Sequence, residues 1–179
     1  SNIKGTWNVL EACRINDKTV KAIAVASSDK AYGSSDKLPY TEDLPLKGDF
    51  PYDVSKSCAD LITQSYYKTF SLPVAISRCG NFYGGGDLNF NRLIPGVIRD
   101  ILRNRRPIIR SDGNYIRDFI YVKDAVSTYL TLIENLNRKE IQGQAFNFST
   151  EEKNTVLEIT NLIIQIMNSN LRPDILNEA

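Results

Sequence analysis

Apolar positions recur at three- and four-residue steps in several stretches of the chain and form unbroken short runs in others. In residues 3–15, Ile3, Trp7, Leu10 and Cys13 fall on one helical face. Residues 20–26 (VKAIAVA) form a compact apolar run, the pattern of a strand buried on both faces of a parallel sheet. The run stops at Ser27-Ser28-Asp29-Lys30, and a long polar loop punctuated by Gly33, Pro39, Pro45, Gly48 and Pro51 follows. Residues 52–70 return to helical spacing through Val54, Cys58, Leu61, Ile62 and Tyr66. Pro73 to Cys79 (PVAISRC) predicts a second buried strand, which ends in the glycine-rich segment 80–87 (GNFYGGGD).

The second half reads as a helix over 92–103, a strand over 108–110, a turn at 111–114 and a strand over 116–122 (IRDFIYV). A helix over 123–136, a strand over 144–148 and a helix over 155–167 complete the series. Thr155 and Glu158 form a T-x-x-E capping box at the start of the last helix. Strands alternating with helices predict an α/β fold with a mostly parallel sheet and helical crossovers.

Composition narrows the function classes. The 179 residues are 42% hydrophobic and 24% charged, an ordinary globular balance that excludes a disordered tail or a disulfide scaffold. Lys and Arg number 22 and Asp and Glu 21, so no global field draws the chain to nucleic acid or an anionic membrane. The cluster Arg99, Arg103, Arg105, Arg106 and Arg110 lacks interleaved aromatics and reads as a solvated face. No apolar run is long enough for a membrane span. The three cysteines, Cys13, Cys58 and Cys79, form no close pair and read as reduced thiols of a cytoplasmic protein, Cys58 and Cys79 as buried ones. Histidine is absent, so no metal site is expected and acid–base chemistry falls to Tyr, Lys, Asp, Glu or Ser.

Ligands of open α/β sheets sit beyond the carboxyl ends of the strands. Ser28-Asp29-Lys30 and the segment from Asn81 fall there. Ser-Asp after a strand is also common as a plain turn or cap. Tyr52 and Lys56, at i and i+4, share one helix face. An ammonium held there favours the phenolate and yields a proton acceptor usable near neutral pH. Taken alone, a Tyr-x-x-x-Lys pair is more often an exposed surface pair.

In combination the motifs are more specific. NIKGTWNVLEA (2–12), SSDKAYG (27–33), PYDVSK (51–56), RCGNFYG (78–84) and IRDFIYVKD (116–124) stand in one order. With them the chain resembles the extended short-chain dehydrogenase/reductases, the NAD-dependent epimerase/dehydratase family, over most of its length to about residue 150. The resemblance implies a Rossmann-like sheet plus parts of a small substrate-binding domain. Residues 1–85 would belong to the dinucleotide-binding domain, and 86–179 mainly to the substrate region, with some segments returning to the core. It implies Tyr52 as catalytic base, Lys56 as its activator and ribose contact, and Ser28 as hydrogen-bond partner of the reacting hydroxyl. Ser27 and Cys79 would lie beside the cofactor. Asn81, Arg92 and Arg117 would contact the nucleotide-sugar substrate, the arginines through guanidinium donors suited to phosphate oxygens.

Asp29-Lys30 separates the branches. Simple 4-epimerases usually carry small or apolar residues there, whereas 4,6-dehydratases need an extra acid and base and most carry Asp-Glu. Asp-Lys is similar to the CDP-glucose 4,6-dehydratase type, although the wording of 116–122 is closer to general members. The resemblance therefore implies an NAD-dependent 4,6-dehydratase of a nucleotide hexose, acting as a homodimer, with NADP left open. A 4-epimerase or reductase of the same family is the alternative, and an inactive fragment or interaction module is the alternative of another class. The family's Gly-x-x-Gly-x-x-Gly turn, where backbone amides meet the pyrophosphate, is not in these residues. The N-terminal half of the dinucleotide-binding fold, roughly 80 to 100 residues by the size of such a half, is expected to be missing.

Overall fold

The structure is a computed structural model and describes residues 2–35 and 38–178. The chain divides into two compact units, one of Ser1–Gly80 with Val122–Ser149 and one of Asn81–Tyr121 with Thr150–Ala179.

The first unit is built on three parallel strands, β1 (Ile23–Ala26), β2 (Val74–Cys79) and β7 (Ala145–Phe148), in the order β1-β2-β7. Every residue of the central strand β2 is buried, including the polar Ser77 and Arg78. Side chains alternate across the sheet. On one face Ile23 and Val74 join Leu10 of α1 (Asn2–Ile15) and Leu72, with Ile62 and Tyr66 of α2 (Pro51–Phe70) packed against them. On the other, Ala75 meets Leu132 of α4 (Val122–Glu134) and Leu136, backed by Phe146 and Phe148. Helices therefore cover both faces. Pro51 opens α2 at its first position, where a missing N–H costs nothing.

Glu11 of α1 takes two hydrogen bonds from Arg14, at 2.9 and 2.6 Å, and one from the Tyr66 hydroxyl of α2 at 3.0 Å. These donors hold its carboxyl at about 2, against an ordinary 4.5. A depressed folded-state value gives stability that is present above the unfolded value and lost as pH falls through the folded one. Glu11→Gln is thus expected to be less stable than the parent at pH 7. The gap should shrink below about pH 4.5 and vanish near pH 2, as followed by urea unfolding at stepped pH.

The second unit pairs short strands. β3 (Asn81–Tyr83) runs parallel to β6 (Phe119–Tyr121), β4 (Ile108–Ile109) parallel to β9 (Asp174–Ile175), and β5 (Ile116–Arg117) antiparallel to β8 (Asn154–Thr155). Helices α3 (Leu93–Leu102) and α5 (Val156–Ile166) pack together, with Val97 and Ile164 buried. The capping box is present: the Glu158 amide donates to Thr155 Oγ1, and the Thr155 amide donates to the Glu158 carboxylate. The continuous strand expected over 116–122 is broken at Asp118. Its carbonyl accepts from the Asn81 amide, and its carboxylate takes the Thr150 hydroxyl. That residue serves neighbours on two sides instead of continuing one ladder. Among the described residues, no helix is long and apolar enough to cross a membrane.

Candidate functional site

At the carboxyl end of β1, Ser28 adopts extended backbone and caps a 3-10 turn over Asp29–Tyr32. Its Oγ accepts from the Lys30 amide at 3.2 Å and donates to Asp29 Oδ1 at 2.8 Å. The cap reading of Ser28 and its possible contact with a hydroxyl are thus superposed on one atom, and a substrate would have to compete with Asp29. Before it, Ser27 is 7% exposed, and its amide donates to the Ser77 carbonyl of β2. Among the described residues, Ser27 Oγ is the one buried side-chain polar atom without a hydrogen-bond partner. Such groups are rare because an unmet hydrogen bond in the interior is costly.

Tyr52 and Lys56 occupy the first turns of α2. The Lys56 ammonium lies 6.0 Å from the centroid of the Tyr52 ring and donates to the Ala26 carbonyl at 2.9 Å. Lys56 is therefore tied to the last residue of β1, immediately before Ser27 and Ser28. Burial pushes its ammonium below the usual lysine value, and the nearby Cys79, the last residue of β2, acts in the opposite sense. Next to it, Ser57 Oγ donates to the Ala31 carbonyl at 2.8 Å, which fastens α2 to the 3-10 turn. The Tyr52 side chain is 53% exposed. Ser27, Ser28, Lys56 and Cys79 thus meet at the carboxyl end of the parallel sheet. Tyr52 stands over Lys56, and Asp29 and Lys30 follow in the turn.

Gly33 closes that turn at φ +72°, and a Cβ there would lie 1.8 Å from the Lys47 carbonyl oxygen. The loop from residue 38 to 50 is thereby laid against the turn. Lys47 donates its amide to the Ala31 carbonyl, and Asp49 accepts from the Ser34 amide. Gly48 abuts the helix start, where a Cβ would stand 2.4 Å from the Asp53 carbonyl carbon.

The other three site candidates belong to the second unit. Asn81 opens β3 and donates its Nδ2 to the Asp118 carbonyl at 3.1 Å. Arg117, the residue before Asp118, sits 5.6 Å from the Tyr115 ring centroid, and no carboxylate bridges it among the described residues. Arg92 stands at the N-cap position of α3, its side chain 60% exposed and paired with Asp87 at 3.0 Å. A cleft of about 370 Å³ runs along α3 between Asp87, Phe90, Ile94 and Arg99; Asn81, Arg92 and Arg117 do not line it.

Sequence reasoning missed a buried ion pair between the central strand and α2. Arg78, in the middle of the apolar run of β2, is 3% exposed and forms a fork with Asp60 of α2, which is fully buried. A lone charge inside PVAISRC was the available signal.

Comparison with known proteins bears on the fold and the family. The model of the NAD dependent epimerase/dehydratase family matches residues 1–148. The chain is 34% identical over 177 residues to a dTDP-D-glucose 4,6-dehydratase of Dictyostelium discoideum, covering 93% of this chain and 39% of that protein. It is 30% identical over 179 residues to a CDP-glucose 4,6-dehydratase of Salmonella typhimurium, covering 93% of this chain and 49% of that one. Among solved structures, a Bacillus anthracis dTDP-glucose 4,6-dehydratase in complex with NAD matches with a TM-score of 0.82 at 29% identity, over 97% of this chain and 55% of that chain. A UDP-glucuronic acid 4-epimerase from Bacillus cereus in complex with NAD matches with a TM-score of 0.84 at 27% identity, over 98% and 56%. The chain spans about half the length of the curated relatives it matches. With the Tyr52–Lys56 pair at the end of a parallel sheet and a family match over residues 1–148, the chain belongs to the NAD-dependent epimerase/dehydratase family.

Proposed function

We propose that this chain carries the acid–base centre of a nucleotide-sugar 4,6-dehydratase. The observation that supports it most is the half-buried Lys56 ammonium, held between the Ala26 carbonyl and the Tyr52 ring beyond the sheet. In this reading Tyr52 takes the proton of the C4 hydroxyl, and Lys56 provides the counter-charge for the phenolate. Ser28 turns from Asp29 to the reacting hydroxyl. NAD, when bound, would supply the hydride acceptor and donor. Lys56 and Cys79 would border it, and the unmet Ser27 Oγ fits a polar group on the cofactor. The 4-keto group acidifies C5–H, which a base removes while an acid protonates the leaving C6 hydroxyl. Asp29 is the acid in this scheme and Lys30 assists on the C5 side.

Residues 1–85 serve mainly the cofactor and 86–179 mainly the substrate, with residues 122–149 returning to the sheet. Asn81 contacts the sugar nucleotide, and Arg92 and Arg117 its diphosphate. Arg117 fits this best, since its fork is committed to no carboxylate. A homodimer in the cytoplasm completes the reading; the three cysteines are free thiols, as a reducing compartment favours.

Both 4,6-dehydratases and 4-epimerases match this fold equally well, so the chemistry at Asp29-Lys30 decides between them. The test is to supply the active enzyme with CDP-glucose, then dTDP-glucose, deuterated at C4. Deuterium at C6 of a 4-keto-6-deoxy product is expected. Deuterium retained at C4 of an inverted sugar would establish the 4-epimerase instead.

A further inference from the structure

Arg78 is an expensive residue to bury. Taking a guanidinium and a carboxylate out of water costs several kcal/mol per ion before any attraction is counted, and an apolar pair of the same volume is often as stable. What such a pair adds over apolar packing is direction, and the hydrogen bonds of Arg78 have a distinctive distribution. Nε and Nη2 donate to the two oxygens of Asp60 on α2, at 2.8 and 3.0 Å. Nη1 donates to Tyr32 Oη of the 3-10 turn at 2.8 Å and to the Glu42 carbonyl at 3.1 Å. Burial pushes the Tyr32 phenol above its usual value, so the hydroxyl keeps its proton. It passes that hydrogen to Asn147 Oδ1 of β7 at 2.7 Å. Asn147 then returns to the loop, donating its amide to the Glu42 carboxylate at 2.8 Å and its Nδ2 to the Tyr40 carbonyl at 2.9 Å. The Tyr40 ring stacks on Tyr32 at 4.9 Å.

One side chain of the central strand thus ties together the helix that carries Tyr52 and Lys56, the turn that Ser28 caps, and the loop that leads into Tyr52. This matters because, among the described residues, the Tyr52 hydroxyl has no hydrogen-bond partner, and its ring contact to Lys56 is made to a residue of the same helix. Its place is set by the backbone of the first turn of α2. That backbone is pressed by Gly48 and fastened to Ala31 through Ser57. Loop, turn and helix are in turn locked to the sheet at Arg78.

We infer that Arg78, acting through Tyr32 and Asp60, is a positioning residue that holds the Tyr52 base in register with Ser28. The inference rests on the proposed roles of those two residues. Lysine at 78 would keep the charge beside Asp60 but could not supply a planar fork and still reach Tyr32 and Glu42. A purely stabilising ion pair would tolerate that change, whereas positioning would not.

The experiment measures kcat and KM for the nucleotide sugar in Tyr32→Phe, Arg78→Lys and Tyr52→Phe forms of the active enzyme. Amide hydrogen exchange at residues 50–57 and thermal unfolding are recorded on the same samples. Tyr32→Phe, which leaves the ion pair in place, secures a folded variant. Both Tyr32→Phe and Arg78→Lys are expected to lose about 10²-fold in kcat, the scale of a misplaced reacting group, with a much smaller change in KM because the proposed diphosphate contacts Arg92 and Arg117 lie outside this network. Exchange at residues 50–57 should quicken in both. Normal kcat per folded molecule in either variant would overturn the inference and leave Arg78 a stability element. If instead Tyr52→Phe itself keeps full turnover, the reading of the site fails first and the inference falls with it.

Discussion

Replacing Tyr52 with phenylalanine is expected to remove nearly all turnover from the active enzyme while leaving the fold intact. The exposed phenol contributes its hydroxyl to no hydrogen bond among the described residues, and the ring, which rests near the Lys56 ammonium, is preserved in phenylalanine. A stability loss is therefore not expected, and any fall in kcat reports chemistry. Loss of a positioned general base costs about 10²–10⁴-fold. Lys56→Met should fall in the same range for a different reason. It removes the counter-charge of the phenolate and frees the Ala26 carbonyl, whose hydrogen bond holds α2 to the end of β1. The two changes should be far from additive, since each disables the same proton transfer. Steady-state kinetics of both single variants and the double, with circular dichroism to check the fold, tests this. Near-normal turnover of Tyr52→Phe would mean that the pair is surface decoration.

How much of this was readable beforehand depends on the range of the forces involved. The parallel sheet was legible because the run VKAIAVA around β1 carries almost no charge, a pattern that suits a strand covered on both faces. The Thr155–Glu158 capping box was legible because it is a local exchange of two hydrogen bonds. Tyr52 and Lys56 were legible because a helix brings i and i+4 together. The acceptor of Lys56 was not, since the Ala26 carbonyl is backbone and leaves no trace in residue type. The two-residue strands β8 and β9 carry no period to detect and exist only through partners far along the chain. The break at Asp118 has the same origin, as its partners are Asn81 and Thr150. Asp60 and Arg78, 18 residues apart, each pass for an ordinary surface charge until the fold places them face to face. Ser28 shows the opposite difficulty. Its residue type suited both a cap and a catalytic hydroxyl, and the geometry provides the cap while leaving the second role to be tested.

Asp29→Asn is expected to stop water elimination while sparing both fold and substrate binding. In the proposed dehydratase cycle, water is lost across C5 and C6 of the 4-keto sugar. The C5–H bond breaks toward a base, the electron pair forms the C5–C6 double bond, and the C6–O bond breaks as oxygen receives a proton. Hydroxide is a poor leaving group, so the proton must come from a positioned acid. Asp29 sits in the turn beyond β1, one residue from Ser28 and within hydrogen-bond distance of its hydroxyl. Asparagine retains the Oδ1 that accepts from Ser28, and so the cap, but cannot deliver the proton. The 4-keto-6-deoxy product should fall about 10²–10⁴-fold, the usual worth of general acid catalysis, with KM and thermal stability unchanged. Asp29→Ala would lose the acceptor as well as the proton, so the two variants separate geometry from chemistry. If Asp29→Asn matches the parent while Asp29→Ala fails, Asp29 acts by holding Ser28. If both match the parent in product formation measured by NMR, Asp29 is a turn residue and the acid must be sought elsewhere.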